Sequence, residues 1–242
     1  MKHIGLQLYS VRNDMAQDVY ATLKKTAELG YTGVEFAGYY DIPAKQMKQW
    51  LDELGLIAYS THTNVLADFE QASSYLNELG CKNAVIPGIP GFDSEEDVLG
   101  IAQKMTEAGK MYLEKGIKVG YHNHAHEFKK NGDKGWMLDV LYDNTDPGVV
   151  GMQLDVCWST VGGQDPVEYL KKYQDRITLV HMKEVMTVSP YEGTAIGEGI
   201  VDFKAIYDLL GDDVIYIVEQ ENIKTMETWE GLAKSQKYLA SL

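Results

Sequence analysis

Short apolar runs recur along the chain, and several of them follow helical patterns that end in glycine. Glu28-Leu29-Gly30, Glu53-Leu54-Gly55 and Glu78-Leu79-Gly80 lie 25 residues apart, and Glu114-Lys115-Gly116 repeats the pattern later. Glycine suits the left-handed position that closes a helix, because it has no Cβ to be strained there. A helix, a glycine stop and a strand at a short interval predict successive βα units.

Eight apolar runs have the length of strands, and several are apolar on both faces, as parallel strands covered by helices are. They are residues 3–9, 33–36, 57–61, 83–87, 117–122, 149–155, 177–181 and 214–220. Apolar residues at helical spacing predict helices between them, including residues 18–29, 94–114 and 225–239. Two stretches that follow strands, residues 87–92 and 185–199, are expected to be irregular.

Eight βα units in 242 residues predict an α/β fold, a (β/α)8 TIM barrel that occupies residues 1–242 as one domain. An open, doubly wound sheet is the alternative. That fold usually needs fewer strands, and no GxGxxG follows the first strand of this chain. Gly197-Glu198-Gly199 is too short to be that fingerprint, and no stretch rich in proline or serine divides the chain.

The composition limits the classes of binding partner and the cellular compartment that we expect for this protein. The net charge of −14 disfavours binding to nucleic acid or to an anionic membrane, since both need clustered Lys and Arg. Cys81 and Cys157 form no CxxC, which suits a reducing cytoplasm. No signal-peptide pattern and no apolar run of about 18 residues is present. We therefore expect a cytoplasmic protein that acts on a small molecule.

Polar side chains stand where the predicted strands end. Residues 121–127 read YHNHAHE and contain three of the six histidines, while Asp155, His181 and Glu219 end the next three strands. In a barrel the carboxyl ends of the strands meet at one mouth. Imidazole and carboxylates there suit a divalent cation of intermediate hardness, such as Mn²⁺, Zn²⁺ or Co²⁺. The alternative is that these are unrelated polar residues that cap helices or pair with lysines.

Neighbouring strand ends supply candidate substrate contacts, each with an ordinary structural alternative. Trp158 could stack on a sugar face or pack in the core, and Lys183 could hold an oxyanion or form an ion pair at the rim. Arg12 could grip a phosphate, although capping of a helix is the favoured interpretation. The candidate substrate contacts are Gln7, Glu35, His62, His124 and Trp158.

At these residues the sequence resembles the xylose-isomerase-like TIM-barrel superfamily. That group contains sugar isomerases and epimerases, inosose dehydratase and the endonuclease IV type of repair enzyme. The resemblance covers essentially the whole chain, and its motifs are specific in their order and spacing. They are GLQLYSVR at 5–12, GVEFAG at 33–38, YHNHAHEF at 121–128, LDVCW at 154–158, HMKE at 181–184, GEG at 197–199 and VEQE at 218–221.

The resemblance implies one divalent metal ion, Mn²⁺ in first place and Mg²⁺, Co²⁺ or Zn²⁺ as alternatives. Its ligands in the family epimerases are Glu, Asp, His and Glu from strands five to eight, and the last three match Asp155, His181 and Glu219. The fifth-strand Glu is not matched, because His122 stands at or near its position. Either His122 replaces it, or Glu127 reaches in from the loop, or three residues and water hold the metal.

The resemblance also implies an isomerase or epimerase of a sugar or keto-sugar that works through an enediolate. Glu219 would be the base, Glu127, His122 or His124 would act opposite it, and Lys183 would stabilise the enediolate oxygen. A lyase or dehydratase acting on a keto-sugar, keto-glycoside or keto-inositol is the close alternative. An abasic-site endonuclease is disfavoured by the acidic charge, and a barrel that only binds sugars is a further alternative. Related barrels are often dimers or tetramers, so a homo-oligomer stays open.

Overall fold

Eight parallel strands close into a barrel in the computed structural model, which describes residues 2–67 and 69–242. The eight strands and the barrel predicted from the sequence are thereby confirmed. The barrel strands are β1 His3–Gln7, β2 Gly33–Phe36, β3 Ile57–His62, β4 Asn83–Ile86, β5 Lys118–His122, β6 Val150–Asp155, β7 Ile177–Met182 and β10 Ile215–Val218. Each pairs with its neighbours in chain order, and β10 closes the barrel between β7 and β1.

Helices cover the outside of the barrel between successive strands. Asp18 and Ser94 cap two of them, as their side chains accept the backbone N–H groups of Ala21 and Asp97. The helices are α1 Arg12–Gln17, α2 Val19–Glu28, α3 Ala44–Leu54, α4 Phe69–Leu79, α5 Glu95–Glu114, α6 Met137–Asp143, α7 Val156–Val161, α8 Pro166–Lys172, α9 Phe203–Leu210 and α10 Thr228–Ser241. In the described part of the chain, none of these is long and apolar enough to cross a membrane.

The glycine stops have the backbone conformation that the sequence predicts. Gly30, Gly55, Gly80 and Gly116 have φ values of 89°, 67°, 72° and 73°. These left-handed values lie at the ends of helices, where a residue with a Cβ would be strained.

Two of the differences from the predicted elements have identifiable local causes. The first strand ends at Gln7 instead of residue 9, because the Gln7 side chain accepts the Tyr9 N–H at 3.0 Å and starts a 3-10 turn over Leu8–Val11. The stretch 185–199, expected to be irregular, contains an antiparallel hairpin of β8 Glu184–Val188 and β9 Tyr191–Thr194. The last three residues of β8 are exposed. The hairpin therefore lacks the pattern of buried apolar residues by which a strand can be predicted from a sequence.

The amino end of the barrel is closed by apolar packing. Tyr59, Val85, Leu179 and Ile217 form a buried cluster there. Gly33 leaves room for the Tyr59 ring, since a Cβ on Gly33 would collide with that ring and with the backbone oxygen of Ile57. This apolar cluster lies below the polar side chains at the carboxyl ends of the strands.

Gly33→Ala is expected to lower the free energy of unfolding by about 1–3 kcal/mol, because the colliding backbone oxygen cannot move without disturbing the sheet. Gly100→Ala is the matched control on the exposed side of α5, where an added Cβ meets no atom within 4 Å. That change should raise stability by about 0.5–1 kcal/mol through helix propensity. Urea unfolding followed by circular dichroism measures both; wild-type stability of Gly33→Ala would contradict this packing.

Candidate active site

A cavity of about 390 Å³ opens at the carboxyl ends of the barrel strands. This is the end of a TIM barrel at which active sites are built. The residues lining the cavity are Tyr9, Ala37, His62, Pro87, His122, His124, Lys183, Glu219 and Glu221. Five of them are candidates from the sequence, so the strand ends singled out there do surround one cavity.

Four ligand-type side chains converge at the floor of this cavity. One nitrogen or oxygen from each of His122, Asp155, His181 and Glu219 lies within 4.8 Å of the others. His181 Nδ1 is 3.4 Å from Glu219 Oε2 and 3.9 Å from Asp155 Oδ2. His122 Nε2 is 4.0 Å from the same Asp155 oxygen. Strands β5, β6, β7 and the residue after β10 supply the four, and all of them are buried.

Glu35 holds this cluster from beneath. Its fully buried carboxylate accepts the side-chain amides of Gln7 at 2.6 Å and Gln153 at 2.5 Å, as well as the Ser60 hydroxyl. His181 Nε2 lies 2.5 Å from Glu35 Oε1. An ionised carboxylate only accepts hydrogen bonds, so Nε2 of His181 carries a proton and donates it. The other nitrogen, Nδ1, is then the atom that faces the cluster.

The same reasoning determines which ring nitrogen of His62 carries a proton. Its Nε2 lies 2.8 Å from Gln153 Oε1 and 3.0 Å from Glu35 Oε1. The Gln153 amide nitrogen is bound to Glu35, so its oxygen is what faces His62, and Nε2 of His62 must donate. Burial alone would raise the pKa of Glu35, but His62 and His181 hold it well below its usual range. When neutral, His62 therefore offers Nδ1 as an acceptor.

The cluster fits a divalent cation. Asp155 Oδ2 and His181 Nδ1 are buried and have no hydrogen-bond partner within the described residues, although such atoms in folded proteins are usually paired. Burial raises the pKa of Asp155 to about 7. Burial opposes the charged form of His181, yet Glu35 and Glu219 raise its pKa to about 10, so a bound cation would displace the proton on Nδ1. Two imidazoles and two carboxylates suit Mn²⁺, Co²⁺ or Zn²⁺ better than Mg²⁺, which prefers oxygen ligands.

Glu127 lies outside this cluster. Its buried carboxylate accepts the Tyr121 hydroxyl and the His124 N–H, both at 2.9 Å, and it lies 3.3 Å from His126 Nδ1. It belongs to a second group of possible ligands with His124 and His126. The structure therefore brings His122, and not Glu127, to the three family-matched residues. The assignment of Glu127 as a metal ligand stays a prediction.

The other predicted residues occupy distinct positions around the cavity. Lys183 is buried, with Nζ 3.3 Å from Glu219 Oε2 and 4.6 Å from the centre of the Trp158 ring. Trp158 thus backs the lysine without lining the cavity. Gln7 and Glu35 lie beneath the floor, so of the five predicted substrate contacts only His62 and His124 line the cavity.

Three polar residues of the site were not predicted from the sequence. Gln153, Ser60 and Glu221 lie two positions away from Asp155, His62 and Glu219, respectively. Residues i and i+2 of a strand share a face, so this spacing was the available signal for Gln153 and Ser60.

Arg12 contacts its own segment of the chain. Its Nη1 donates to the Tyr9 carbonyl oxygen at 2.9 Å, and its guanidinium lies over the Tyr9 ring.

Comparison with known proteins places the chain in a family. The family model described as a xylose isomerase-like TIM barrel matches residues 23–242. The chain belongs to the xylose isomerase-like TIM barrel family, as its motifs predict. Among solved structures, a sugar phosphate isomerase/epimerase from Parabacteroides distasonis is 31% identical with a TM-score of 0.87, covering 98% of this chain and 93% of that one.

Several of the similar proteins are named for an enzymatic activity. The inosose dehydratase of Geobacillus kaustophilus is 28% identical over 192 residues, which cover 67% of this chain and 61% of that enzyme. The inosose dehydratase of Clostridium perfringens is 24% identical, covering 90% of this chain and 87% of that enzyme. A 3-keto-D-glucoside 4-epimerase from E. coli has a TM-score of 0.74 at 17% identity, which shows a shared fold alone. The relatives thus support a sugar-modifying enzyme.

Asp155→Asn is expected to weaken Mn²⁺ binding by more than the roughly 10–100-fold loss typical of a residue that only supports a ligand. The asparagine keeps an oxygen to accept the Trp158 N–H, which Asp155 Oδ1 accepts at 2.8 Å, so α7 should remain capped. Glu127→Gln is the matched comparison and should retain the metal. Metal content after dialysis, measured by mass spectrometry, tests both; equal loss in the two variants would make Glu127 a ligand.

Proposed function

We propose that this protein is a divalent-metal-dependent isomerase or epimerase of a sugar or keto-sugar. The observation that carries the proposal is the convergence of His122, Asp155, His181 and Glu219 on one polar cavity at the barrel mouth. These four residues would hold the metal, Mn²⁺ in first place. When bound, such an ion acts as a Lewis acid that polarises a carbonyl and acidifies the neighbouring C–H.

Glu219 is the residue we assign as the base. It lines the cavity, and although burial would raise its pKa, Lys183 and His181 hold that pKa well below the usual range. Its carboxylate is therefore ionised and able to accept a proton from the substrate carbon. Lys183 Nζ, 3.3 Å from this carboxylate, is placed to stabilise negative charge on the enediolate oxygen.

Return of the proton requires a group on another side of the cavity. His124 lines the cavity from the loop after β5. Burial and Lys183 lower its pKa to about 4, so its imidazole is neutral near pH 7. We assign the proton return to His124, whose backbone N–H donates to Glu127. The ring N–H proton passes to the substrate carbon, the ring regains a proton from solvent, and Glu219 releases the proton it took to solvent. His62, with Nδ1 free to accept, would orient a substrate hydroxyl.

A dehydratase or lyase is the second candidate, and one feature of the cavity favours it. Among the described residues that line the cavity, the carboxylates are Glu219 and Glu221, which both follow β10. A mechanism that needs carboxylates on opposite faces of the substrate therefore lacks its second carboxylate. Elimination of a β-leaving group from the same enediolate needs one base and one proton donor. The inosose dehydratases among the relatives support this alternative.

The lining of the cavity and the state of the cysteines bear on the substrate class and on the cellular compartment. A small neutral or weakly charged carbohydrate suits a cavity lined by imidazoles and by a lysine paired with carboxylates. Cys81 and Cys157 are both buried as free thiols, which suits the cytoplasm that the sequence predicts.

Glu219→Gln should slow hydrogen exchange at the carbon beside the substrate carbonyl by about 10²–10⁴-fold, because the amide cannot accept the proton. The measurement is deuterium incorporation from D₂O, followed by NMR, for the Mn²⁺-loaded enzyme with a panel of keto-sugars and keto-inositols. Glu168→Gln, on the exposed side of α8 and paired with Lys171, is the control and should exchange at the wild-type rate.

The products in the same experiment separate the two candidates. A stereoisomer or a shifted carbonyl identifies an isomerase or epimerase, whereas an unsaturated product or a released leaving group identifies a lyase. Exchange that proceeds equally well in Glu219→Gln would contradict the assignment of the base. Absence of exchange across the panel, with metal bound, would count against both candidates.

A further inference from the structure

Lys183 lies between two carboxylates that have different positions relative to the cluster. Its ammonium is 2.5 Å from Glu221 Oε2 and 3.3 Å from Glu219 Oε2. The lysine side chain is almost completely buried, while that of Glu221 is 27% exposed. One cation is thus shared by a carboxylate of the four-residue cluster and by a carboxylate outside it, and the outer one is closer.

This sharing is important because the proposed function gives Glu219 two roles, which are to bind the cation and to accept a proton from the substrate. A buried lysine must have a counter-ion, since an unpaired charge that is removed from water is strongly unfavourable. If Glu219 were its only partner, the two would form a tight ion pair. The carboxylate would then be less free to bind a cation or to accept a proton. Glu221 supplies a nearer counter-ion, and the Trp158 ring packs against the ammonium from another side.

The backbone that carries Glu221 is held in place by the β8–β9 hairpin. Asn222 has a left-handed φ of 51°, and its side-chain amide donates to the Tyr191 carbonyl oxygen at 2.8 Å. Gly193 of β9 packs so closely on this segment that a Cβ would collide with the Glu221 carbonyl oxygen. The position of the Glu221 side chain therefore follows from specific contacts of its own segment.

We propose that Glu221 is a positioning residue that shares the Lys183 ammonium with Glu219 and so keeps part of the Glu219 carboxylate available. The inference rests on the proposed function, because it assigns Glu219 a cation to bind and a proton to accept. It distinguishes Glu221 from an ordinary rim carboxylate such as Glu192, which is 25% exposed and lies 3.9 Å from an exposed lysine, Lys224.

A double-mutant cycle between Glu221→Gln and Lys183→Met tests the proposal. In the presence of Lys183, Glu221→Gln should weaken Mn²⁺ binding by about tenfold, because the ammonium then turns to Glu219. In the Lys183→Met background the same change should alter binding by less than about twofold. Isothermal titration gives the affinities, and Glu192→Gln, equally exposed and equally charged, is the control that should leave them unchanged.

The two backgrounds separate positioning from a general effect of charge. Equal weakening with and without Lys183 would overturn the proposal, since it would mean that Glu221 attracts the cation directly. With turnover as the readout, Glu221→Gln should lower kcat and leave KM within about threefold, as expected for a group that acts through Lys183. Lys183→Gln replaces Lys183→Met if the latter does not fold.

A second readout keeps this inference separate from the proposed function. In metal-free protein, Glu221→Gln should lower the Tm by about 2–4 °C when Lys183 is present and have no such effect in Lys183→Met. If the wild type binds no Mn²⁺, the proposed function fails. The melting cycle then decides alone: a Tm unaffected by Glu221→Gln would show that Glu221 is not the main counter-ion of Lys183.

Discussion

The ionised carboxylate of Glu35, shut away from water at the centre of the barrel, is the constraint on which the site depends. Taking such a group out of water costs several kcal/mol unless hydrogen bonds replace the lost solvent. The replacement donors are Gln7, Ser60, Gln153 and His181, which come from β1, β3, β6 and β7. One carboxylate on β2 thus ties strands from around the barrel together, and it also turns Nδ1 of His181 toward the cavity floor.

The barrel interior has two layers that differ in polarity. The polar layer carries the charged groups of the candidate site. The lower layer is apolar and closed, whereas above it Glu35, Asp155, Glu219 and Glu221 meet Lys183 and His181. Four carboxylates face one lysine and the imidazoles of His62, His122 and His181, and this leaves negative charge in a region with little solvent. Burial raises the pKa of Asp155 to about 7, the charge of Glu219 acts in the same direction, and Asp155 Oδ2 lacks a hydrogen-bond partner within the described chain. A bound cation would relieve both features, which is why the geometry fits a metal.

The sequence predicted the parts of the site that depend on strand periodicity. Asp155, His181 and Glu219 lie at or next to the ends of buried strands, and barrel closure alone brings such ends together. The position of Glu127 depends instead on a loop. The Tyr121 hydroxyl holds its carboxylate, and at Gly88, with φ of 74°, a Cβ would lie only 2.6 Å from His124 Nδ1. Such tertiary contacts leave no periodic pattern, and the β8–β9 hairpin escaped prediction for the same reason.

The connections that follow β7 and β10 behave as one unit around Lys183. Lys183 lies between β7 and β8, β9 packs on the segment that carries Glu221, and that segment starts directly after Glu219. The hairpin therefore sets the partner of the lysine, and the lysine sets how much of the Glu219 carboxylate is free. The same connections bring Lys183, Glu219 and Glu221 to the wall of the cavity. A change in the hairpin that moved the segment of Glu221 would therefore alter the charge balance at the cavity floor without touching the cavity itself.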